Sequence, residues 1–302
     1  FDGCYSLTGL VLSGWNTSNV TNMQEMFSTC AALTNLNLSS FDTSKVGTYD
    51  MYNMFSGCRV LQTVTLGTKF KFVGTDGYLP TPSSTYIPQA NGKWYDTSDG
   101  TWYTPAALAS VTRTEARTYV AVKPVPTLAA GSGWYKGTTA ITTITEIGLV
   151  DTYTATGNET ESWDASAAQD GSVKAYINGT NLTLAGNGAG KIVANADSSR
   201  AFSGFTKVTT ISGLNKLDTS NVTDMGNMFW GCWALTSLDV SGWDTSNVTT
   251  MYGMFGGCSA LTSLNVSNFN TSNVTDMSYM FSNCSKLTSV GNLSGFNTSK
   301  VT

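Results

Sequence analysis

The residue types with the most chemical potential in this chain recur at a fixed interval. Cys4 and Cys30 stand 26 residues apart, as do Cys232, Cys258 and Cys284 in succession, while Cys30 to Cys58 spans 28. A cysteine can serve as nucleophile, metal ligand or disulfide partner. Here each stands alone in its period, with no Cys-x-x-Cys pair, and the chain contains no histidine. The commonest general base and metal ligand is therefore missing, and with it every Ser-His or Cys-His nucleophile. Disulfides and metal ligation are the competing readings. The spacing favours a ladder of buried free thiols, one small apolar side chain per period.

Carboxylates offer little acid–base potential. Asp42, Asp218 and Asp244 occupy a position filled elsewhere by Asn16, Asn270 and Asn297. A place shared by Asp and Asn suits a turn former that accepts hydrogen bonds, not a proton carrier. Asp96-Thr97-Ser98-Asp99-Gly100 and Asp164 to Asp170-Gly171 gather oxygens beside a glycine, as calcium loops do. Neither has the full spacing and acidic terminus of such a loop, and tight Asp-Gly turns explain both. No catalytic residue, cofactor or metal is expected, and the chain is not expected to be an enzyme. The recurring Asn-x-Ser/Thr sequons, such as Asn19-Val20-Thr21 and Asn273-Val274-Thr275, read as polar ladders, since they recur with the period. Thr8, Thr34, Thr236, Thr262 and Thr288 form another rank, which reads as a soluble strand face, with ice binding the sharper alternative.

The elements that carry these residues follow from the period. Residues 258–283, CSALTSLNVSNFNTSNVTDMSYMFSN, typify the unit. Leu33, Leu36 and Leu38, or Leu261, Leu264 and Val266, suit a short strand with its apolar side chains turned inward. Met277, Met280 and Phe281 have the i, i+3, i+4 spacing of a helical turn buried on one face, with Thr275-Asp276 placed to cap it. All ten methionines occupy the two Met positions of the unit, from Met23/Met26 to Met277/Met280. One unit cannot bury its own apolar stripe, so units must stack. The expected fold is a repeat solenoid of leucine-rich type, one β-strand plus a short helical turn per coil, with β-rich N- and C-terminal capping regions.

These segments, with their DTSNVTDM and MFxGCxxL signatures, resemble the BspA-like leucine-rich repeats of bacterial surface proteins. The resemblance covers residues 1–66 and about 202–302. It implies a secreted or surface-anchored bacterial protein that adheres to host or neighbouring cells.

Along the chain, residues 1–67 read as leucine-rich repeats ending an array. Residues 68–123 are turn-rich, and GKWYDTSDGTWYTP has the pattern of a hairpin, so they read as a β-rich C-terminal cap. Residues 124–133, PVPTLAAGSG, have linker composition. Residues 134–200 read as a β-rich N-terminal cap with a hairpin around Asn178-Gly179, and 201–302 as repeats starting a new array, with Phe205 at the Cys position. The first and last residues fall in register with one split repeat, which suggests tandem cassettes. One array carrying an insertion is the alternative.

Only 12% of residues are charged, about half the usual share, and the net charge is −4 without a Lys/Arg block. A nucleic-acid or anionic-membrane footprint is absent, and no apolar run is long enough to span a bilayer. The binding candidates are side chains that break the repeat without being required by it. Trp230 stands where Ser28, Ser56 and Ser282 do, and Trp233 where Ala31, Ser259 and Ser285 do; Tyr5, Tyr52, Tyr252 and Tyr279 extend the set. Packing of these rings against the cap or a neighbouring chain is the competing reading. The expected partners are a host or bacterial surface protein or glycan, or further copies of the chain, as an extracellular contact protein or a fibre subunit.

Overall fold

The computed structural model describes residues 1–302, which form two units, Phe1–Lys123 and Pro124–Thr302. The first unit holds β1 (Gly9–Leu10), β2 (Asn35–Leu38), β3 (Thr63–Leu66), β4 (Trp94–Asp96), β5 (Trp102–Tyr103), the single helix α1 (Pro105–Ala109) and β6 (Arg117–Val120). Its sheet runs β1-β2-β3-β6-β4-β5. β1, β2 and β3 come from successive repeats and pair in parallel, Leu36 opposite Val64 and Leu38 opposite Leu66. That register superposes the apolar positions of each repeat, which alternate along the strand and are buried. β6 then closes the open edge of β3 antiparallel, and the β4–β5 hairpin follows.

The second unit holds β7 (Glu146–Val150), β8 (Glu161–Asp164), β9 (Val173–Asn178), β10 (Asn181–Gly186), β11 (Ile192–Val193), β12 (Thr210–Ser212) and β13 (Leu217–Asp218). Five of these form a sheet in the order β12-β7-β10-β9-β8, and β11 pairs with β13. β9 and β10 are the hairpin expected around Asn178-Gly179, with Gly179 at φ 62°. β7 runs parallel to both β10 and β12, Ile147 opposite Leu182 and Ile211. The segment 124–133, expected as a linker, belongs to this unit instead. Leu128 N–H bonds the Val193 carbonyl, Ala129 N–H bonds that of Ala165, and the 3₁₀ turn Gly131–Trp134 buries Trp134 completely.

The expected leucine-rich solenoid with a helical turn per coil is not the architecture found. Two mixed sheets dominate, and α1, the one α-helix, lies outside the repeats. The Met-x-x-Met-Phe segments form successive tight turns. An α-helix sends each N–H to its own chain four residues back. Here the N–H groups of Met23, Glu25, Phe27 and Thr29 go instead to Asp50, Tyr52, Met54 and Ser56 of the following repeat. Met26, Ser28 and Cys30, each following one of these residues, bond back three residues along the chain. Left-handed residues make this alternation possible: Glu25, Asn53, Asn227, Gly253 and Tyr279 share one position, at φ 53–59°. The helix-like spacing records which side chains face inward, while the backbone bonds mostly outward to the next repeat. The strands fade too, for beyond β13 the repeats are joined by isolated parallel bridges, Asp224 to Thr250, Thr250 to Asp276 and Ser263 to Ser289.

Side chains of one repeat lie on their counterparts in the next. Phe202, Phe229, Phe255 and Phe281 stack with centroids 5.5–5.7 Å apart and planes within 8°. Trp134 closes this column, 5.9 Å from Phe202 and stacked on Phe205 at 6.2 Å. Phe27 stacks on Phe55 likewise in the first unit. Each buried ring contributes roughly 1.5–3 kcal/mol relative to exposure.

Candidate contact surfaces

The cysteines occupy the inner column. All six are free thiols; Cys30, Cys58, Cys232 and Cys258 are buried, and Cys4 and Cys284 partly so. Each thiol after the first donates to a carbonyl one repeat earlier: Cys30 to Phe1, Cys58 to Phe27, Cys232 to Phe202, Cys258 to Phe229 and Cys284 to Phe255, at 3.0–3.4 Å. Burial pushes the Cys58 and Cys232 thiols up to about 12, and that of Cys258 higher still. At neutral pH these sulfurs are protonated, so they are poor nucleophiles and poor metal ligands.

The Asp/Asn position is an acceptor in a turn at every occurrence. Asn16, Asp42, Asp218, Asp244, Asn270 and Asn297 each take the N–H of the serine two residues on, at 2.9–3.1 Å. The threonine between, at Thr17, Thr43, Thr219, Thr245 and Thr271, is buried and clamps two repeats. Thr245 Oγ1 donates to the Asn270 carbonyl at 3.1 Å and accepts the Asn270 N–H at 2.8 Å; Thr219 does the same with Asp244. Part of the exposed rank is engaged as well, since the Thr34, Thr236 and Thr288 hydroxyls donate to the carbonyls of Thr8, Thr209 and Thr262.

The carboxylates of the two calcium-like loops are taken up internally. Asp96 accepts from Ser98 N–H and Arg117, and Asp99 from Thr101 N–H and Arg117. Asp164 accepts from Ser166 and from Gly171 N–H, and Asp170 from Ser172 N–H.

The six aromatic candidates are all exposed, from Trp230 at 37% to Tyr5 at 66%. In the second unit four of them share the outer side of the Met turns. Trp230 lies across the next repeat, where Gly253 and Gly256 leave room for its ring. A Cβ at Gly253 would stand 2.9 Å from that ring, and one at Gly256 would overlap it. Trp233 sets its indole nitrogen beside Gly231 and Gly257. Tyr252 and Tyr279 meet edge to face at 5.6 Å. In the first unit, Tyr5 stands by itself near Gly3, and Tyr52 lines a cleft. Sequence reasoning passed over Tyr49, which lines the same cleft and is 87% exposed. Its only sequence signal was the two-residue excess between Cys30 and Cys58.

Stacked repeats extended by mixed sheets, with inert thiols inside and indole and phenol rings outside, define a repeat protein with an aromatic face. The family model described as "Mycoplasma protein of unknown function, DUF285" matches residues 1–70 and 196–302, more than half of the chain, and the chain belongs to that family. Both matched segments are the repeats, and the intervening residues 71–195 lie outside the match. No curated protein and no solved structure matches the chain. No helix is long and apolar enough to cross a membrane.

Proposed function

We propose that this chain is a contact protein of the bacterial surface, holding a protein or glycan partner on the aromatic strip of its second unit. The observation that supports this most directly is Trp230, Trp233, Tyr252 and Tyr279 gathered on one exposed side of adjacent repeats. None of the four is needed for stacking, since other repeats carry serine, alanine or glycine there. Rigid aromatic rings supply large contact area at low entropic cost, and Trp and Tyr dominate binding hot spots. Low surface charge suits a neutral or mixed partner better than a strongly ionic one. The DTSNVTDM-type segments and their BspA-like resemblance favour adhesion and a surface location.

The test is binding of the purified chain to a glycan array and to immobilised host extracellular-matrix proteins, beside the Trp230→Ala/Trp233→Ala variant. Binding that falls about tenfold or more in the variant is expected. Equal binding by both proteins, or none to any ligand, would overturn the assignment of the strip.

A further inference from the structure

The first unit contains a cleft of about 520 Å³ on the outer side of its own Met turns. Its size lies within the range of small-molecule sites, roughly 300–1,000 Å³. Two departures from the repeat build it. The excess residues between Val46 and Met51 push Thr48 and Tyr49 outward beside Tyr52. Opposite them, the segment 72–77 folds down in place of the next repeat's turn, Asn53 N–H bonding the Asp76 carbonyl at 3.1 Å. That approach requires glycine. Gly74 sits at φ 74°, and a Cβ there would collide with the Thr48 carbonyl; a Cβ on Gly77 would stand 2.7 Å from the Met51 side chain. Repeat stacking requires neither feature.

The lining has a consistent chemistry. Tyr49 and Tyr52 offer two aromatic faces, and Val73 adds apolar surface. Around them stand the Gln24 amide, the Thr48 and Thr75 hydroxyls and the Asp76 carboxylate. None of these polar side chains spends its hydrogen bonds within the protein. At the Asp/Asn turn position of the repeats, by contrast, every side chain is engaged. Aromatic faces beside three neutral polar side chains and one carboxylate match a ligand with apolar C–H faces and hydroxyl edges. The one charged group, Asp76, repels anions. We infer that this cleft binds a neutral monosaccharide unit, stacked on Tyr49 and Tyr52 with its hydroxyls toward Gln24, Thr48, Thr75 and Asp76. The inference does not depend on the aromatic strip, which lies in the other unit.

Saturation-transfer NMR of the whole chain with D-galactose, D-mannose and N-acetyl-D-glucosamine tests this, with choline chloride run in parallel. A signal from at least one sugar at millimolar concentration is expected. It should fall about tenfold in Tyr49→Ala and persist in Trp230→Ala/Trp233→Ala. Tyr49 is almost fully exposed, so its removal leaves the core intact. Absence of signal from all three sugars, a signal unchanged in Tyr49→Ala, or a Tyr49-dependent signal from choline alone would overturn the proposal. Loss in the Trp230→Ala/Trp233→Ala variant only would place sugar binding on the strip and empty the cleft of this role.

Discussion

Single residues in this chain are held mainly by hydrogen bonds, with few ion pairs. Thr245 shows the pattern, its buried hydroxyl serving as donor and acceptor to one residue of the next repeat. Removing such a group takes away one partner each from the part-buried N–H and carbonyl of Asn270, and the lost hydrogen bonds cost about 0.5–1.5 kcal/mol each. Glu159 carries the same logic into an ionisable group. Thr156 and Gly157 donate their backbone N–H groups to its carboxylate, and Tyr153 adds its hydroxyl at 2.6 Å. The Thr156 N–H is the largest influence, and together they lower the carboxyl from the ordinary 4.5 to about 2. A depressed folded-state pKa stabilises fully above the unfolded value and loses that contribution as pH falls through the folded one. The melting temperature of the native chain should therefore exceed that of Glu159→Gln at neutral pH. The gap should narrow from pH 4.5 downward and be nearly closed by about 2. Thermal melts of both proteins across that range check this; a constant gap would show that the loop's hydrogen bonds do not depend on the charge.

At the scale of elements, the governing fact is that repeats bond to repeats. The 26-residue period, the inward-facing Leu, Met, Phe and Cys, and both hairpins were legible because they rest on side-chain pattern and turn chemistry. The conformation of the Met turn was not legible. Met277, Met280 and Phe281 would share a face in a helix or in a chain of tight turns, and the choice rests on N–H partners a repeat away. Tyr279 in a left-handed conformation carried no local signal. Of the candidate surfaces, Trp230 and Trp233 could be found because they displace small residues at repeat positions. Tyr49, within an excess segment, has no counterpart to be compared with. Trp230 also explains a glycine. Gly256 occupies its own position one repeat on, where Ser28, Ser56 and Ser282 stand elsewhere, and a side chain there would overlap the indole. Gly256→Ser should destabilise the chain, while the same change in a Trp230→Ala background should cost much less. Urea unfolding of the four proteins should give a coupling of about 0.5–3 kcal/mol. Simple additivity would mean that the ring does not rest on that glycine.

At the scale of the whole molecule, the apolar side chains separate into two cores along the same division as the chain. One gathers Phe27, Phe55, Tyr119 and the strand residues Leu36, Val64 and Leu66; the other gathers Trp134, Phe202, Phe229, Phe255 and the sheet residues Ile147 and Leu184. Each core has its own sheet and its own repeats, so each unit has the means to fold by itself. Two-state unfolding is then not expected of the intact chain. Phe229 provides the lever, since it is fully buried and stacks between Phe202 and Phe255. Phe229→Ala removes the middle of that column at a cost of about 3–5 kcal/mol. Calorimetry of the native chain should resolve two transitions. The substitution should lower one of them by several degrees and leave the other in place. The separate fragment 1–123 should reproduce the unmoved transition, because none of its core residues comes from beyond Lys123. A single transition that shifts as a whole would show instead that the two cores unfold as one cooperative body.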